Sequence, residues 1–335
     1  MFGRGDEKSE QAALLGMPKT SIKFQVMSDT KSKTSGTEAA ALQTLAVANH
    51  CVLFVDLLGQ RVALRGQGLV PDFKNDEQRR QFESDLRASI GAIVKLQEAA
   101  ADFLLGYERR GEHSLLRAQL SAEDQQRWDA LGAHPEVKQQ RWSDGLVYFA
   151  SLGSDTPPNK MISVTRMLML AGFLCLYGLA RKHPVRGGLE VAWAAELHSN
   201  EIYGAAVARA YELESEVAGY PRIVVGTELL RFIDLNGGVS SAELESEQAK
   251  VLATLCADML LEDADGQVFV HFLGTAFANV VGVESHTQLA FRAKTFVDEQ
   301  AERFRNSRSD TKLAFRYHHL ANYFSHWEQG AFKAE

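Results

Sequence analysis

Cysteine is scarce, with three in 335 residues. Cys51, Cys175 and Cys256 lie in apolar segments without pairable or metal-like spacing, so they read as reduced core residues of a cytoplasmic protein and not as a disulfide framework. An excess of positive charge is also missing. The 43 acidic side chains outnumber the 36 basic ones and leave a net charge of −7, which argues against a broad nucleic-acid or membrane surface while permitting a local basic pocket for a triphosphate. There is no G-x-x-x-x-G-K-[ST] loop and no G-x-G-x-x-G after a strand, which excludes the P-loop and dinucleotide-binding readings. The ten histidines show no His-x-x-x-His spacing, and the members of His318-His319 point to different sides of a helix, so no zinc site is expected. Long hydrophobic runs are absent too. Met161 to Ala180 is interrupted by Ser163, Thr165 and Arg166, leaving about 14 apolar residues where a membrane span needs roughly 20, and it reads as a buried helix. The N-terminus lacks a basic stretch followed by an apolar core and a cleavage site, so no secretory leader is expected.

What is there is a hydrophobic fraction of 45% and a charged fraction of 24%, ordinary for a globular chain long enough for a sizeable core. Residues 1 to about 45 are rich in Lys, Ser, Thr, Gly and Asp and read as a mobile lead-in, with a possible short strand at Ser21 to Val26. The organising stretch follows. Val52-Leu53-Phe54-Val55-Asp56-Leu57-Leu58-Gly59 is an apolar, β-branched run ending in a carboxylate, a buried strand that delivers Asp56 to a site. Its partner is Asp144, at a Ser143-Asp144-Gly145 turn between Val137–Trp142 and Leu146–Ala150, a hairpin with a carboxylate at its tip. Two oxygen donors from separate strands are hard ligands suited to Mg²⁺ or Mn²⁺, which are usually held by one or two carboxylates plus substrate phosphates.

Helices are expected from Leu57 to Leu64, from Asp76 to Tyr107 with a stripe of Phe82, Leu86, Ile90, Ile93, Val94 and Leu96, and from Ala122 to Leu131. Met161 to Lys182 is a mostly apolar helix stopped by Pro184. Val185 to Trp193 alternates as a strand, and its Gly187-Gly188 pair suggests close approach of a backbone or a ligand. Glu201 to Ala218 reads as an amphipathic helix and Tyr220 to Val225 as a strand. The resulting order, β, α, α, β-hairpin, α, β, α, β, fits an α+β sandwich of the split-βαβ kind. Helices at Thr227–Asn236 and Glu243–Cys256, a hairpin around Asp265-Gly266, and helices at Thr287–Arg305 and Thr311–Trp327 complete the chain. The aromatics of the last two read as packing residues.

The strand Phe54-Val55-Asp56-Leu57-Leu58-Gly59, the Ser143-Asp144 hairpin, the Arg186-Gly187-Gly188 strand, the helix Ala210-Tyr211-Glu212-Leu213-Glu214 and the following Pro221-Arg222-Ile223 resemble, in order and type, the class III nucleotidyl cyclases. Closest in pattern are the Pycsar pyrimidine cyclases of bacterial antiphage defence. The resemblance implies a ferredoxin-like split-βαβ cyclase domain over 46–235, behind the lead-in of 1–45, with 236–335 as a C-terminal, largely helical extension. It also implies a homodimer with the nucleotide at the interface, two metal ions held by Asp56, Asp144 and the Leu57 carbonyl, and cyclisation of UTP, or of CTP, with loss of pyrophosphate. The cyclic nucleotide would activate a separate effector protein.

Attack of the ribose 3′-hydroxyl on the α-phosphorus needs a deprotonated nucleophile and a neutralised leaving group, which a metal pair supplies as an in-line clamp. Amides around Leu58, Gly59 and Gln60 would cradle phosphates where strand turns into helix. In purine-converting members the helix carries an asparagine and, four residues on, an arginine; here those positions are Ala208 and Glu212. Arg209 or Arg186 is the candidate replacement charge. Gln140 and Glu201 stand where adenine-selective members have lysine and aspartate, which disfavours ATP, and Phe54 is placed to stack on a smaller base. The rival reading is a degenerate cyclase-fold module that binds a nucleotide or partner without turnover.

Overall fold

The computed structural model describes residues 47–59, 72–111, 136–142, 145–153, 157–198, 200–238, 244–305, 307 and 309–330. The expected strand at Ser21–Val26, the helix at Ala122–Leu131, the hairpin tip Ser143-Asp144 and Gln60 lie outside them. The described chain is α+β, with eight strands and eight α-helices.

Strand β1, Val47–Leu57, runs through the middle of the sheet because both of its faces are apolar. Its odd-numbered residues Cys51, Leu53, Val55 and Leu57 enter the large core on one side, and Val52 and Phe54 enter a smaller core on the other. On one edge β1 pairs antiparallel with β3 (Gly145–Ser151), which forms a hairpin with β2 (Lys138–Trp142). On its other edge it pairs antiparallel with β4 (Val185–His198). The sheet order is β2-β3-β1-β4-β6-β8-β7, with β6 spanning Ile223–Val225, β7 Leu260–Glu262 and β8 Val268–Val270. The β4–β6 pair is parallel and every other pair antiparallel.

Helix α1 is Asp76–Gly111. Its packed residues are Ala92, Leu96, Ala100 and Phe103, whereas Leu86 and Ile90 of the expected stripe are 37% and 50% exposed. The four-residue spacing of Ala92, Leu96 and Ala100, followed by Phe103, marks the face that meets the core. Helix α2, Pro157–Ala180, crosses the large face of the sheet. Its Lys160–Ala180 stretch is long and apolar enough to cross a membrane, but 83% of its most apolar window is buried inside the protein, so this helix is the centre of the core.

Two expected boundaries move. Leu57 ends β1 and Leu58-Gly59 form a turn, Gly59 having a φ of 95°, so no helix starts at Leu57. Glu201–Gly204 is strand β5, antiparallel to the far end of β4, and the helix, α3, begins only at Ala205 and ends at Glu212. Strand pairing with β4 is a long-range contact that local amphipathicity does not report. At the junction Gly204 has a φ of 151°, and a Cβ there would lie 2.6 Å from the Ala194 Cα, which accounts for glycine at the start of this helix.

The last third of the chain joins the same sheet and core. Helix α4 (Thr227–Gly237) and α5 (Leu244–Asp258) precede the β7–β8 hairpin, which turns at Asp265-Gly266, and β8 pairs with β6 through Phe269 and Val224. A short helix α6, Thr275–Val281, is unanticipated; it is followed by α7, Val283–Arg305, and α8, Thr311–Glu328. Phe296, Tyr317, Tyr323 and Phe324 of the last two helices are buried, as their packing role requires, whereas Phe291 and Phe315 are more than half exposed. The three cysteines are free and buried, and burial pushes each thiol above its ordinary value.

A buried hydrogen-bonded chain ties α8 to β8. The Leu273 N–H donates to the Tyr323 hydroxyl oxygen at 3.1 Å, and the hydroxyl lies 2.8 Å from His271 Nδ1. With its oxygen accepting from Leu273, Tyr323 has its proton for an unprotonated Nδ1, so this geometry holds His271 neutral. Burial, together with the nearby imidazole of His286, pushes the His271 pKa down to about 4. His286 is also lowered by burial and points Nε2 at the Phe272 carbonyl, 2.9 Å away. Because the folded pKa lies below the unfolded value near 6.5, the unfolded chain binds the extra proton first, and stability present above about pH 6.5 is lost as pH falls toward 4. At 1.36 kcal/mol per pKa unit, His271 alone lowers the unfolding free energy by about 2 kcal/mol between pH 7 and pH 5. Denaturant melts at half-unit pH steps measure this; a midpoint constant from pH 7 to pH 5 contradicts it.

Candidate functional site

The site is built on the sheet face that carries α3. Period-2 alternation puts Phe54 and Asp56 of β1 on that face, with Asp56 in register with Gly145 of β3 on one side and with Arg186 of β4 on the other. Gly145 directly follows Asp144, so the strand register brings the chain neighbour of the second carboxylate opposite the first. Asp56 is 7% exposed, and Arg186 Nη2 lies 3.9 Å from its Oδ2. Burying a carboxylate without a cation is costly, and Arg186 supplies one.

Arg186 is itself fixed from the helix side. Its Nε donates to Glu214 Oε1 at 2.7 Å and Nη2 donates to the same oxygen. Glu214 lies in a π turn, Leu213–Val217, that continues α3 and closes with an Ala218 N–H to Leu213 carbonyl bond of 2.8 Å. The wider π turn lets Glu214, 1% exposed, face inward. Gly188 makes this approach possible: a Cβ there would lie 2.3 Å from the Ala210 carbonyl oxygen and 2.5 Å from the Leu213 Cβ, and one on Gly187 would lie 2.5 Å from the Phe54 carbonyl. The glycine pair therefore admits backbone on both sides. Sequence reasoning assigned Glu214 no role of its own, although its spacing from Val207 and Ala210 continues the buried face of the helix.

Phe54 is 4% exposed, with its ring edge-on to Tyr211 of α3 at 5.2 Å and to Trp142 of β2 at 6.0 Å. It is a packed support and not an open stacking platform. The rings with free surface are Trp142 and Tyr211, 47% and 45% exposed, which the sequence analysis does not single out; the signal in the sequence was a tryptophan directly before Ser143-Asp144-Gly145.

The remaining predicted residues divide into two groups. Gln140 Oε1 accepts the Ile202 N–H at 3.0 Å, so the structure brings Gln140 against β5, whose first residue is the exposed Glu201. Nearby, Lys138 Nζ lies 2.5 Å from Glu196 Oε2, which holds the bent end of β4 to β2. This pair lies away from the Asp56 line, since Gln140 is in register with Val147, the partner of Phe54, and Trp142 with Gly145, the partner of Asp56. Arg209 is exposed on α3, and its charge reaches the buried Glu190. Glu190 holds backbone in place, because its Oε1 accepts the N–H groups of Val191, at 2.8 Å, and of Leu229 at the start of α4, at 2.9 Å. Burial raises its pKa, against the pull of those bonds and of Arg209.

The amide of Leu58 does not serve a phosphate here, because it donates to the Pro184 carbonyl at 3.0 Å. For a metal, Asp56 is a hard oxygen donor at the end of the strand and its chemistry fits Mn²⁺ or Mg²⁺; among the described residues no group of three potential ligands converges. No family model and no curated protein matches the chain.

Proposed function

We propose that the chain is a class III-type nucleotidyl cyclase that converts UTP to 3′,5′-cyclic UMP and pyrophosphate, with CTP as the alternative substrate, as a second messenger of the Pycsar kind. The observation that carries this reading is the register at the end of β1: Asp56 lies between Gly145, the residue after Asp144, and Arg186, beneath a helix that starts at a glycine and grips Arg186 through Glu214. A buried aspartate and arginine held side by side on a rigid sheet are suited to a phosphoryl-transfer site.

In the reaction the O3′–Pα bond forms, the Pα–O bond to the β-phosphate breaks, the 3′-hydroxyl proton is released and pyrophosphate leaves. Two Mn²⁺ or Mg²⁺ ions, held by Asp56, Asp144 and the Leu57 carbonyl, would supply the charge neutralisation that this displacement needs. Arg186, locked by Glu214, presents a fixed guanidinium next to Asp56 and takes the place of the missing helix arginine for phosphate oxygens better than the exposed Arg209 does. Trp142 and Tyr211 offer ring surface for a base, and their exposure in a single chain supports a homodimer with the nucleotide between subunits. The product would act on a separate cyclic-nucleotide-responsive effector.

The experiment incubates purified protein with Mn²⁺ and each of the four ribonucleoside triphosphates separately and identifies products by mass. A cyclic product and pyrophosphate from UTP or CTP alone establish the activity and the base, whereas a purine product overturns the specificity. One observation favours the rival binding module: Arg186 already compensates Asp56, so the carboxylate has a structural use without metal. No product from any triphosphate supports that module.

A further inference from the structure

The first two turns of α8 put Lys312, Phe315, Arg316 and His319 at i, i+3, i+4 and i+7, on one face of the helix. That face lines a cleft of about 560 Å³ whose opposite wall includes Tyr220 and Arg222; this volume is in the range of small-molecule sites, roughly 300–1,000 Å³.

The charges of the opposite wall are spent on one another. Arg222 Nη1 donates to Asp263 Oδ2 at 2.5 Å and to Asp265 Oδ1 at 3.1 Å, Nη2 donates to Asp265 Oδ2, and Nε donates to the Ala218 carbonyl at 3.0 Å. The Tyr220 hydroxyl donates to Asp263, and His319 Nε2 lies 2.8 Å from Asp263 Oδ1. The two carboxylates of the β7–β8 turn are therefore already matched. On α8, by contrast, Lys312 is exposed and Arg316 half-buried, and among the described residues neither has a hydrogen-bond or ion-pair partner. Burial, and then repulsion from Arg186, lowers the Arg316 pKa, so the charge that acts on it most is another cation. In a chain with net charge −7, two adjacent unmatched cations over a cleft are a local reversal of sign. Phe315 adds a planar surface: it is 71% exposed, nearly parallel to the His319 ring at 17°, and takes no part in the buried face of α8.

From this geometry we infer that the α8 cleft binds a phosphorylated ligand of nucleotide size, with Lys312 and Arg316 on its phosphates and Phe315 against its ring. Bidentate guanidinium contact suits phosphate oxygens, and an exposed aromatic face accepts any planar ring. The inference does not depend on the chain being a cyclase.

Isothermal titration of the full-length protein in EDTA, so that no metal held at Asp56 contributes, tests it with UDP, inorganic pyrophosphate and uridine as probes. UDP and pyrophosphate are expected to bind and uridine not. Lys312→Glu, at a solvent-exposed side chain that leaves the fold intact, weakens both anions at least fivefold, and with Arg316→Glu added the loss exceeds tenfold; Lys250→Glu on the exposed side of α5 changes neither by more than twofold. Phe315→Ala weakens UDP at least threefold and leaves pyrophosphate unchanged. Absence of anion binding, or anion affinity unaltered by Lys312→Glu, overturns the site, and equal loss of UDP and pyrophosphate in Phe315→Ala overturns the ring contact. Failure of every triphosphate to yield a cyclic product would sink the cyclase reading and leave these affinities untouched.

Discussion

Replacement of Asp56 by alanine is expected to abolish metal-dependent formation of cyclic nucleotide from UTP or CTP while leaving a folded protein. The loss of turnover follows because Asp56 is the described carboxylate of the proposed metal site, and Glu214, the other described acid that Arg186 contacts, is committed to that arginine. The fold survives for the same reason. Arg186 keeps Glu214 as its counter-charge when Asp56 is removed, so that cation is not left unmatched. Asp56→Asn, which preserves shape and removes only the charge, is expected to be equally inactive. Product analysis by mass together with a thermal melt reads both halves of the expectation. A folded and active Asp56→Ala protein would sink the assignment of the metal to this strand.

Arg222→Ala is expected to produce the largest loss of stability of any single change at the β6 end of the sheet. The side chain is 1% exposed and links two segments: the end of the π turn, through the Val217 and Ala218 carbonyls, and the β7–β8 turn, through the Asp263 and Asp265 carboxylates. Truncation leaves Asp263, whose side chain is 11% exposed, without its guanidinium and with the Tyr220 hydroxyl, His319 and the Ala264 N–H as partners, and it takes one donor from each of the Val217 and Ala218 carbonyls, of which Ala218 keeps the Tyr220 N–H at 2.6 Å. Removing one partner of a buried pair costs about 3–5 kcal/mol. Asp265 is half exposed and adds little to that figure, since water solvates it once its partner is gone. For a chain of this size the fall in Tm is about 10 °C. Pairing the change with Asp263→Asn is expected to recover part of the loss, because the stranded charge is removed. A melt within about 2 °C of wild type would show that the cluster is solvated in solution, at roughly 1 kcal/mol or less.

The elements read correctly from the chain are those whose cause is local. The apolar run of β1, the alternation of β4, the continuous hydrophobic helix α2 and the Asp-Gly turn between β7 and β8 each carry their own period or turn chemistry. The stretch Glu201–Gly204 reads as helix and folds as strand because an amphipathic segment of four residues satisfies both periods, and only pairing with the bent end of β4 decides it. The expected stripe on α1 lies too far toward its N-terminus, since apolar residues such as Ile90 mark a helical period without saying which turns meet the core.

The candidate site divides along the same line. That Asp56 lies at the end of a buried strand and that Arg186 precedes two glycines was determined by the order of residues alone. What the tertiary structure decided is how these are combined: that Arg186 stands across from Asp56, that Glu214 reaches it from 28 residues away through a π turn, that Phe54 is closed over by Trp142 and Tyr211, and that α8 brings Arg316 within reach of the Arg186 charge. Backbone period and turn chemistry act over a few residues and are written in the chain, whereas charge compensation and ring packing depend on which distant segments the sheet register and the helix crossings bring within a few ångströms of one another.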